Sequence, residues 1–147
     1  MALGWNEIKD RAVKFSKEWE NTVNEEADAK PFLDAFFEVF GISRKKIGTF
    51  EHRVKKLNDA DGYIDLLWKG VILVEMKSRG KNLDKAFQQA KDYAQGLKEH
   101  ELPKYILVSD FHVFRLYDTE EQKTVEFTLP DLVKNVNHFN VIAGYTK

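Results

Sequence analysis

The stretch GYIDLLWKGVILVEMKSRG, residues 62–80, holds two apolar segments separated by Lys69 and Gly70. Runs of this length, rich in isoleucine, leucine and valine and broken by a turn, predict an antiparallel hairpin with strands over residues 63–68 and 71–77. Three charged residues, Asp65, Glu75 and Lys77, interrupt these strands. A charge in a buried strand costs several kcal/mol unless a partner compensates it. Strand-end solvation could explain Lys77, and a Glu75–Lys77 salt bridge could explain that pair, but neither explains Asp65 as well.

The loop of this hairpin determines whether the three charges meet. A two-residue loop would pair Asp65 with Val74 and turn it away from Glu75, because side chains alternate between the two faces of a strand. A three-residue or bulged loop would place Asp65 opposite Glu75. It would also leave one set of apolar side chains on the other face: Ile64, Leu66, Ile72, Val74 and Met76. We therefore predict the longer loop, with Gly70 in a left-handed conformation.

Two carboxylates on facing strand positions suit a hard divalent cation. The Cβ atoms of such a pair are about 4.5–5.5 Å apart, and Mg²⁺ is commonly held by one or two carboxylates together with water. A bound ion polarises a phosphate oxygen and lowers the pKa of its water. Lys77 would orient that water or stabilise the charge that develops on the phosphate. The trio therefore predicts metal-assisted phosphodiester hydrolysis.

The rest of the chain predicts a single α/β domain with a mixed central sheet. The first 25 residues form an amphipathic helix whose apolar side recurs every three or four residues: Trp5, Ile8, Ala12, Phe15, Trp19 and Val23. A second helix should follow, with Asp28 near its N-cap, Pro31 in its first turn and Gly41 at its end. Asn82 should cap a third helix. Further strands are expected over residues 49–57, 104–109, 113–117 and 124–127, and the T-x-x-D spacing of residues 128–131 should open a closing helix.

Composition excludes several classes of protein. The chain of 147 residues has no cysteine and a formal net charge of −1, which excludes disulfide frameworks, thiol catalysis, cysteine-ligated zinc and a uniformly basic coat. It contains no apolar run of membrane-spanning length and no signal-peptide pattern. Its four histidines lack metal-ligand spacing. Residues 41–60 are locally basic, which is consistent with either a solvated strand edge or contacts to phosphate.

Several residues near the hairpin are candidates for supporting roles. Gln89 and Tyr93 lie four apart on one face of the third helix, where Gln89 could bind a phosphate or a metal-bound water and Tyr93 could equally be a core side chain. The remaining candidates are basic residues that could contact the DNA backbone or simply be solvated: Arg79, Lys81, Lys85, Lys55 and Lys56.

These residues resemble a known group of enzymes. Asp65, Glu75-Met-Lys77 and the later Gln89-x3-Tyr93 resemble the PD-(D/E)XK nuclease superfamily, whose core has the order αβββαβ. More narrowly, residues 28–130 resemble the N-terminal endonuclease region of single-chain MmeI-like (Type IIL/IIG) restriction-modification enzymes. Besides residues 62–97, the segments that carry this resemblance are FFEVFGI at 36–42 and PKYILVSDFHVFRLYD at 103–118.

The resemblance implies Mg²⁺-dependent cleavage of double-stranded DNA, with Mn²⁺ as a possible substitute. It assigns Asp65, Glu75 and the backbone carbonyl of Met76 as metal ligands, Lys77 as the catalytic lysine and Gln89 as a supporting residue. Glu38 matches an acidic residue that some members of the superfamily add to the site. One departure is Ile64, which stands where the superfamily pattern has proline.

The resemblance also implies that the chain is part of a longer cytoplasmic, prokaryotic polypeptide. Residues 1–27 would form an N-terminal helix, 28–109 the catalytic core and 110–147 a C-terminal extension. The methyltransferase domain, which binds S-adenosylmethionine, and the target-recognition domain would lie elsewhere in that polypeptide. Cleavage of both DNA strands commonly requires two such domains, so dimerisation is a further expectation. Two alternatives remain: a stand-alone nuclease related to Holliday-junction resolvases or RecB-type exonucleases, and a nuclease-like fold that only binds DNA or packs against partners.

Overall fold

A six-stranded mixed sheet forms the centre of the molecule. In the computed structural model the described residues are 2–55 and 63–144, without the side chains of Glu25, Glu26 and Lys55. The strands lie side by side in chain order: β1 Glu51–Lys55, β2 Tyr63–Trp68, β3 Ile72–Met76, β4 Tyr105–Ser109, β5 Val113–Asp118 and β6 Lys123–Thr128. Only the β3–β4 pair is parallel among these strands, because a helical crossover separates β3 from β4.

Helices cover both faces of the sheet. Their bounds are α1 Trp5–Glu18, α2 Glu25–Val39, α3 Arg44–Ile47, α4 Leu83–Gln95 and α5 Leu132–Asn135. The order α2, β1–β3, α4, β4 is the predicted αβββαβ core, and the chain has the restriction-endonuclease-like mixed α/β fold. The predicted cap of α4 is confirmed, since the Asn82 side chain accepts hydrogen bonds from the amides of Asp84 and Lys85.

The two faces bury different kinds of side chain. On one face, α1, α2 and the C-terminal segment pack a cluster of phenylalanine rings against the sheet: Phe15, Phe32, Phe36, Phe37, Phe40, Phe111, Phe114 and Phe139. On the other face, α4 contributes small side chains that allow close approach to aliphatic strand residues: Ala86, Ala90 and Ala94 against Ile64, Leu67, Leu73, Ile106 and Val108. The aromatic layer fixes α2 beside β1 and β2, and α4 supports β3 and β4.

The first two helices depart from their predicted bounds. Helix α1 ends at Glu18, and Val23, predicted on its apolar side, is 52 % exposed beyond its end. Helix α2 begins at Glu25, ahead of the predicted cap Asp28, because the Asn24 side chain accepts a hydrogen bond from the amide of Ala27. Pro31 consequently lies inside α2 instead of in its first turn. Within residues 2–55 and 63–144, no helix is both long enough and apolar enough to cross a membrane.

Two other segments also differ from the prediction. Part of the locally basic segment 41–60 forms the short helix α3, capped by the Ser43 side chain, before β1 begins at Glu51. The predicted closing helix is divided into a 3₁₀ turn at Leu129–Asp131, α5 and a second 3₁₀ turn at Val136–Phe139. The Thr128 side chain makes no capping hydrogen bond, so the T-x-x-D spacing does not form the expected capping box.

Candidate active site

The β2–β3 hairpin has the predicted register. Trp68 pairs with Ile72 and Leu66 with Val74, so the loop consists of the three residues 69–71. Gly70 has a φ of +80°, the left-handed conformation that glycine adopts without steric cost. Continued by one residue, this register places Asp65 opposite Glu75. This is the register that was predicted from the cost of burying a lone carboxylate.

Asp65 connects the two strands at the point where their regular pairing ends. One of its carboxylate oxygens accepts a hydrogen bond from the backbone N–H of Met76 at 2.7 Å. The aspartate is therefore held against the peptide that follows Glu75. This contact brings the Asp65 carboxylate to the backbone of the residue whose carbonyl was predicted as a metal ligand.

The alternation of side chains in β2 changes at Asp65. Leu66 packs with the α2 side of the sheet, whereas Ile64 packs with the α4 side. The prediction that Ile64 shares a face with Leu66, Ile72, Val74 and Met76 is therefore wrong for Ile64. Paired strands must change face together, and β1 changes at the same level: Arg53 has a φ of +51° between the pairs His52–Leu66 and Val54–Ile64, and Val54 also packs with the α4 side.

Glu75 and Lys77 form a buried ion pair at the end of β3. Glu75 is 0 % exposed and Lys77 is 20 % exposed at the side chain, and Lys77 Nζ lies 3.2 Å from Glu75 Oε2. The Lys77 amide donates to the carbonyl of Ser109 at 2.8 Å, which continues the β3–β4 pairing beyond Met76. A buried carboxylate is tolerated when a charged hydrogen-bond partner compensates its desolvation, and Lys77 is that partner here.

A cavity of about 430 Å³ lies beside Asp65, between α2 and β1. Its lining combines two carboxylates with three nitrogen-bearing side chains and two apolar ones: Asp34, Asp65, Lys30, His52, Arg53, Ala29 and Leu33. Asp34 is 7 % exposed and lies 3.6 Å from Lys30 Nζ and 4.0 Å from Arg44 Nε. Asp34 was not singled out from the sequence, although its position inside the apolar run PFLDAFF is a usable signal, because such a charge needs compensation.

Glu38, the predicted acidic contribution of α2, does not line this cavity. Its side chain is 47 % exposed and lies 3.9 Å from Arg44, and Glu38 borders a different depression beside α1 together with Arg11 and Lys14. Asp34, one turn earlier on α2, is the helix carboxylate that lines the cavity with Asp65, whereas Glu38 lies outside that cavity.

Gln89 and Tyr93 occupy different places along α4. A strand–helix–strand crossover runs its helix antiparallel to the strands, so the first turn of α4 lies near Lys77 and its last turn near the 69–71 loop. Burial raises the pKa of Tyr93, and the charges of Glu51 and Glu101 raise it further. Those two glutamates flank Lys69, at 3.7 and 3.1 Å. Tyr93 thus belongs to the loop end of the hairpin, away from Lys77, whereas half-buried Gln89 lies one turn nearer to it.

Among the predicted DNA-contacting residues, Arg79 is bound within the fold, whereas Lys81 and Lys85 are exposed. Arg79 fastens the chain after β3 to the α1–α2 connection, since its amide donates to the Val23 carbonyl at 3.0 Å and its guanidinium to the Glu20 carbonyl at 2.8 Å. Lys81 and Lys85 are exposed around the start of α4. Lys56 and the side chain of Lys55 lie outside the described residues.

Asp110 is a further residue that the sequence analysis did not identify. It is 6 % exposed, and its carboxylate accepts hydrogen bonds from the amides of Gly80 at 3.0 Å, His112 at 3.1 Å and Val113 at 2.7 Å. These bonds tie the connection after Lys77 to the end of β4. The proximity of Asp110 to Gly80 depends on the pairing of β3 with β4, and residue spacing alone does not reveal that pairing.

The donor chemistry of the site fits a hard cation. The carboxylates of Asp65 and Glu75 supply oxygen, the ligand type that Mg²⁺ prefers, and Mg²⁺ usually takes one or two carboxylates and keeps several waters. Among the residues the structure describes, no group of three or more His, Cys, Asp or Glu side chains is arranged to hold a metal ion.

Comparisons with known proteins agree with this architecture. The family described as "MmeI, N-terminal domain" matches residues 10–147. No curated protein matches the chain. Among solved structures, a chain of the "cryoEM structure DrdV-DNA complex" is similar at a TM-score of 0.53 and 16 % identity, over 97 % of this chain and 14 % of that one. The chain thus spans a small part of that structure's length, and the likeness concerns the fold. Because the family match extends over nearly all of the sequence, the chain belongs to the MmeI N-terminal domain family.

Proposed function

We propose that the protein is a metal-dependent endonuclease domain that hydrolyses phosphodiester bonds of double-stranded DNA within a restriction-modification enzyme. The observations that carry this proposal are two contacts where the regular β2–β3 pairing ends: an Asp65 carboxylate oxygen accepts from the Met76 amide at 2.7 Å, and Lys77 Nζ lies 3.2 Å from Glu75 Oε2. Membership of the MmeI N-terminal domain family supports the restriction-enzyme context. The fold shared with a chain of a DNA complex is consistent with DNA as the substrate.

Asp65, Glu75 and the Met76 carbonyl would hold Mg²⁺, or Mn²⁺ in its place. When bound, such an ion supplies Lewis-acid polarisation of a phosphate oxygen and a water of lowered pKa. The protein's contribution is to fix the ligands in advance. The 2.7 Å bond from the Met76 amide holds the Asp65 carboxylate, and complete burial holds Glu75 within the sheet.

Lys77 would act on the phosphate and on the attacking water. Its side chain is 20 % exposed and Glu75 is fully buried, so the ammonium lies at the boundary between the ion pair and solvent. An ammonium has three donors. While one faces Glu75, the others would orient a water or bind a phosphate oxygen on which charge develops, an electrostatic effect that strengthens in a water-poor site. Gln89 would support the same groups from α4.

The other expected partners follow from the family context. The methyltransferase domain with its S-adenosylmethionine and the target-recognition domain would lie in the remainder of a longer polypeptide, in agreement with the 14 % of the DrdV chain that this chain spans. Those domains would select the DNA sequence, and this one would cut. Dimerisation of two nuclease domains would then permit cleavage of both strands.

Cleavage assays in the intact enzyme test this proposal. We expect Asp65→Asn and Lys77→Ala to abolish cleavage of plasmid DNA in Mg²⁺, while leaving adenine methylation by the same preparations unchanged. Asp10→Asn, which neutralises an exposed carboxylate on α1, is the matched control and should cleave as the wild type does. Full cleavage by either site variant would disprove the assignment.

Calorimetry separates an active nuclease from a nuclease-like binding module. A functional site should bind Mn²⁺ in a manner that Asp65→Asn removes and Asp10→Asn preserves. If the wild-type chain bound no divalent ion through Asp65, the structural alternative, in which Glu75 and Lys77 form only an internal ion pair, would be favoured instead.

A further inference from the structure

Arg53 adopts a conformation that its place in a strand does not explain. Its φ is +51°, although the residues on either side keep their places in the β1–β2 ladder, His52 with Leu66 and Val54 with Ile64. A non-glycine residue in this region is strained, and strain of this kind concentrates at ligand clamps and active sites because the surroundings must maintain it. Arg53 lies opposite Asp65 in the same register.

The consequence of this conformation is the position of the guanidinium. It lies over the ring of Tyr63, with 4.5 Å between the guanidinium carbon and the ring centroid, and Tyr63 is 42 % exposed. Arg53 also lines the cavity that contains Asp34 and Asp65. Among the described residues, its guanidinium forms no ion pair with a carboxylate. An arginine stacked on an aromatic ring is held in one orientation while the edges of its planar fork remain able to donate.

The charge distribution of the cavity indicates what this arginine would bind. The carboxylates of Asp34 and Asp65 in the cavity lining repel a DNA phosphate, so a strand approaches most favourably where the cations of the same lining offset that repulsion. Lys30, whose side chain is 69 % exposed, and Arg53 are the cations in the cavity lining. Lys30 is directed to Asp34, at 3.6 Å, whereas Arg53 is stacked on Tyr63. Arg53 therefore supplies the cation available to a phosphate at this edge of the sheet.

We propose that Arg53, held on Tyr63, binds a backbone phosphate of the DNA strand that enters the cavity, next to the phosphate to be cleaved. This proposal rests on the proposed function and adds a substrate contact that lies on the edge strand β1. The guanidinium fork matches the geometry of phosphate oxygens, and the Tyr63 ring fixes the fork before DNA arrives.

Binding measurements without metal separate this contact from catalysis. The protein is titrated against a fluorescein-labelled DNA duplex in EDTA at several salt concentrations. We expect Arg53→Gly to weaken binding about tenfold and to reduce the slope of log affinity against log salt by about one, the effect of a lost phosphate contact. Arg53→Lys keeps the charge and should retain the salt slope while losing part of the affinity, because lysine lacks the planar fork.

Two comparisons keep the test decisive. Glycine adopts a positive φ without strain, so Arg53→Gly should unfold at or above the wild-type urea midpoint, and reduced DNA binding could not be attributed to misfolding. Lys9→Ala, which removes one exposed charge from α1, should change affinity less than twofold. The proposal is overturned if Arg53→Gly binds DNA as the wild type does, if Lys9→Ala weakens binding equally, or if the wild-type chain binds no duplex at low salt. Binding in EDTA does not depend on the metal or on cleavage, so a failure here differs from a failure of the nuclease proposal.

Discussion

Replacing Lys77 with methionine tests whether the Glu75–Lys77 pair is the compensated buried charge that the fold requires. Glu75 is 0 % exposed, and 3.2 Å separates its Oε2 from Lys77 Nζ. At that separation and an effective dielectric constant of about 20, two unit charges attract by about 5 kcal/mol. Methionine keeps most of the stem's volume and removes the charge, so Glu75 loses that attraction in a fully buried position.

We expect Lys77→Met to lower the free energy of unfolding by about 3 kcal/mol, the lower end of the range for breaking a buried pair, because the ammonium is partly hydrated. The double variant Glu75→Gln/Lys77→Met should recover at least about 1.5 kcal/mol of that loss, since no uncompensated charge remains. Lys81→Met, which removes an exposed lysine four residues later, is the matched control and should change stability by less than about 0.5 kcal/mol.

Urea denaturation monitored by tryptophan fluorescence measures these values in a metal-free buffer. If Lys77→Met unfolds at the midpoint of the Lys81→Met control, Glu75 does not depend on Lys77. If the double variant is no more stable than the single one, the loss comes from packing and not from an uncompensated carboxylate. Either result would refute the electrostatic explanation of this pair.

Three further predictions concern the elements around the site. Gly70→Ala should cost about 1–2 kcal/mol in urea denaturation, because its φ of +80° is strained for any L-residue, although among the described residues a Cβ there would meet only the His100 carbonyl, at 3.8 Å. Burial opposes ionisation of Asp118, but hydrogen bonds from backbone amides and the Lys104 ammonium hold its pKa below the ordinary 3.8. The stability that ionised Asp118 contributes is therefore complete above pH 3.8 and is lost as the pH falls below that value. Asp118→Asn should accordingly make the stability less dependent on pH in that acidic range. Asp110→Asn should increase amide hydrogen exchange at Gly80, whose N–H donates to Asp110 at 3.0 Å. A wild-type exchange rate at Gly80 in this variant would contradict the role of that hydrogen bond.

Part of the site could be predicted from the sequence, because burying an uncompensated carboxylate costs free energy. The requirement to compensate Asp65 and Glu75 together was sufficient to choose the three-residue loop and the left-handed Gly70, and both are confirmed. Asn82 and the apolar periodicity likewise predicted α4. These inferences succeed because each depends on neighbours in the chain or on one hairpin.

Other features depend on how distant elements pack. Asp34 and Glu38 are four residues apart and so lie on one side of α2; which of them reaches the cavity depends on where the helix sits along the sheet, and sequence alone does not specify that. The strained conformation of Arg53 has no signature in residue type, and neither has the accompanying change of face at Ile64. Tyr93 matches the spacing of the motif but lies toward the loop end of the hairpin. The motif could not predict this position, because it does not reveal how far along β3 the helix begins.

Anomalous diffraction at the manganese edge from crystals grown with Mn²⁺ would locate the bound ion. A site built from Asp65 and Glu75 predicts one strong peak at the end of β3, with oxygen atoms of both carboxylates about 2.2 Å away and the Met76 carbonyl completing the protein ligands. Crystals of Asp65→Asn grown in the same way should lack that peak. A peak that persists in Asp65→Asn, or an ion bound without Glu75, would contradict a nuclease site built from these carboxylates.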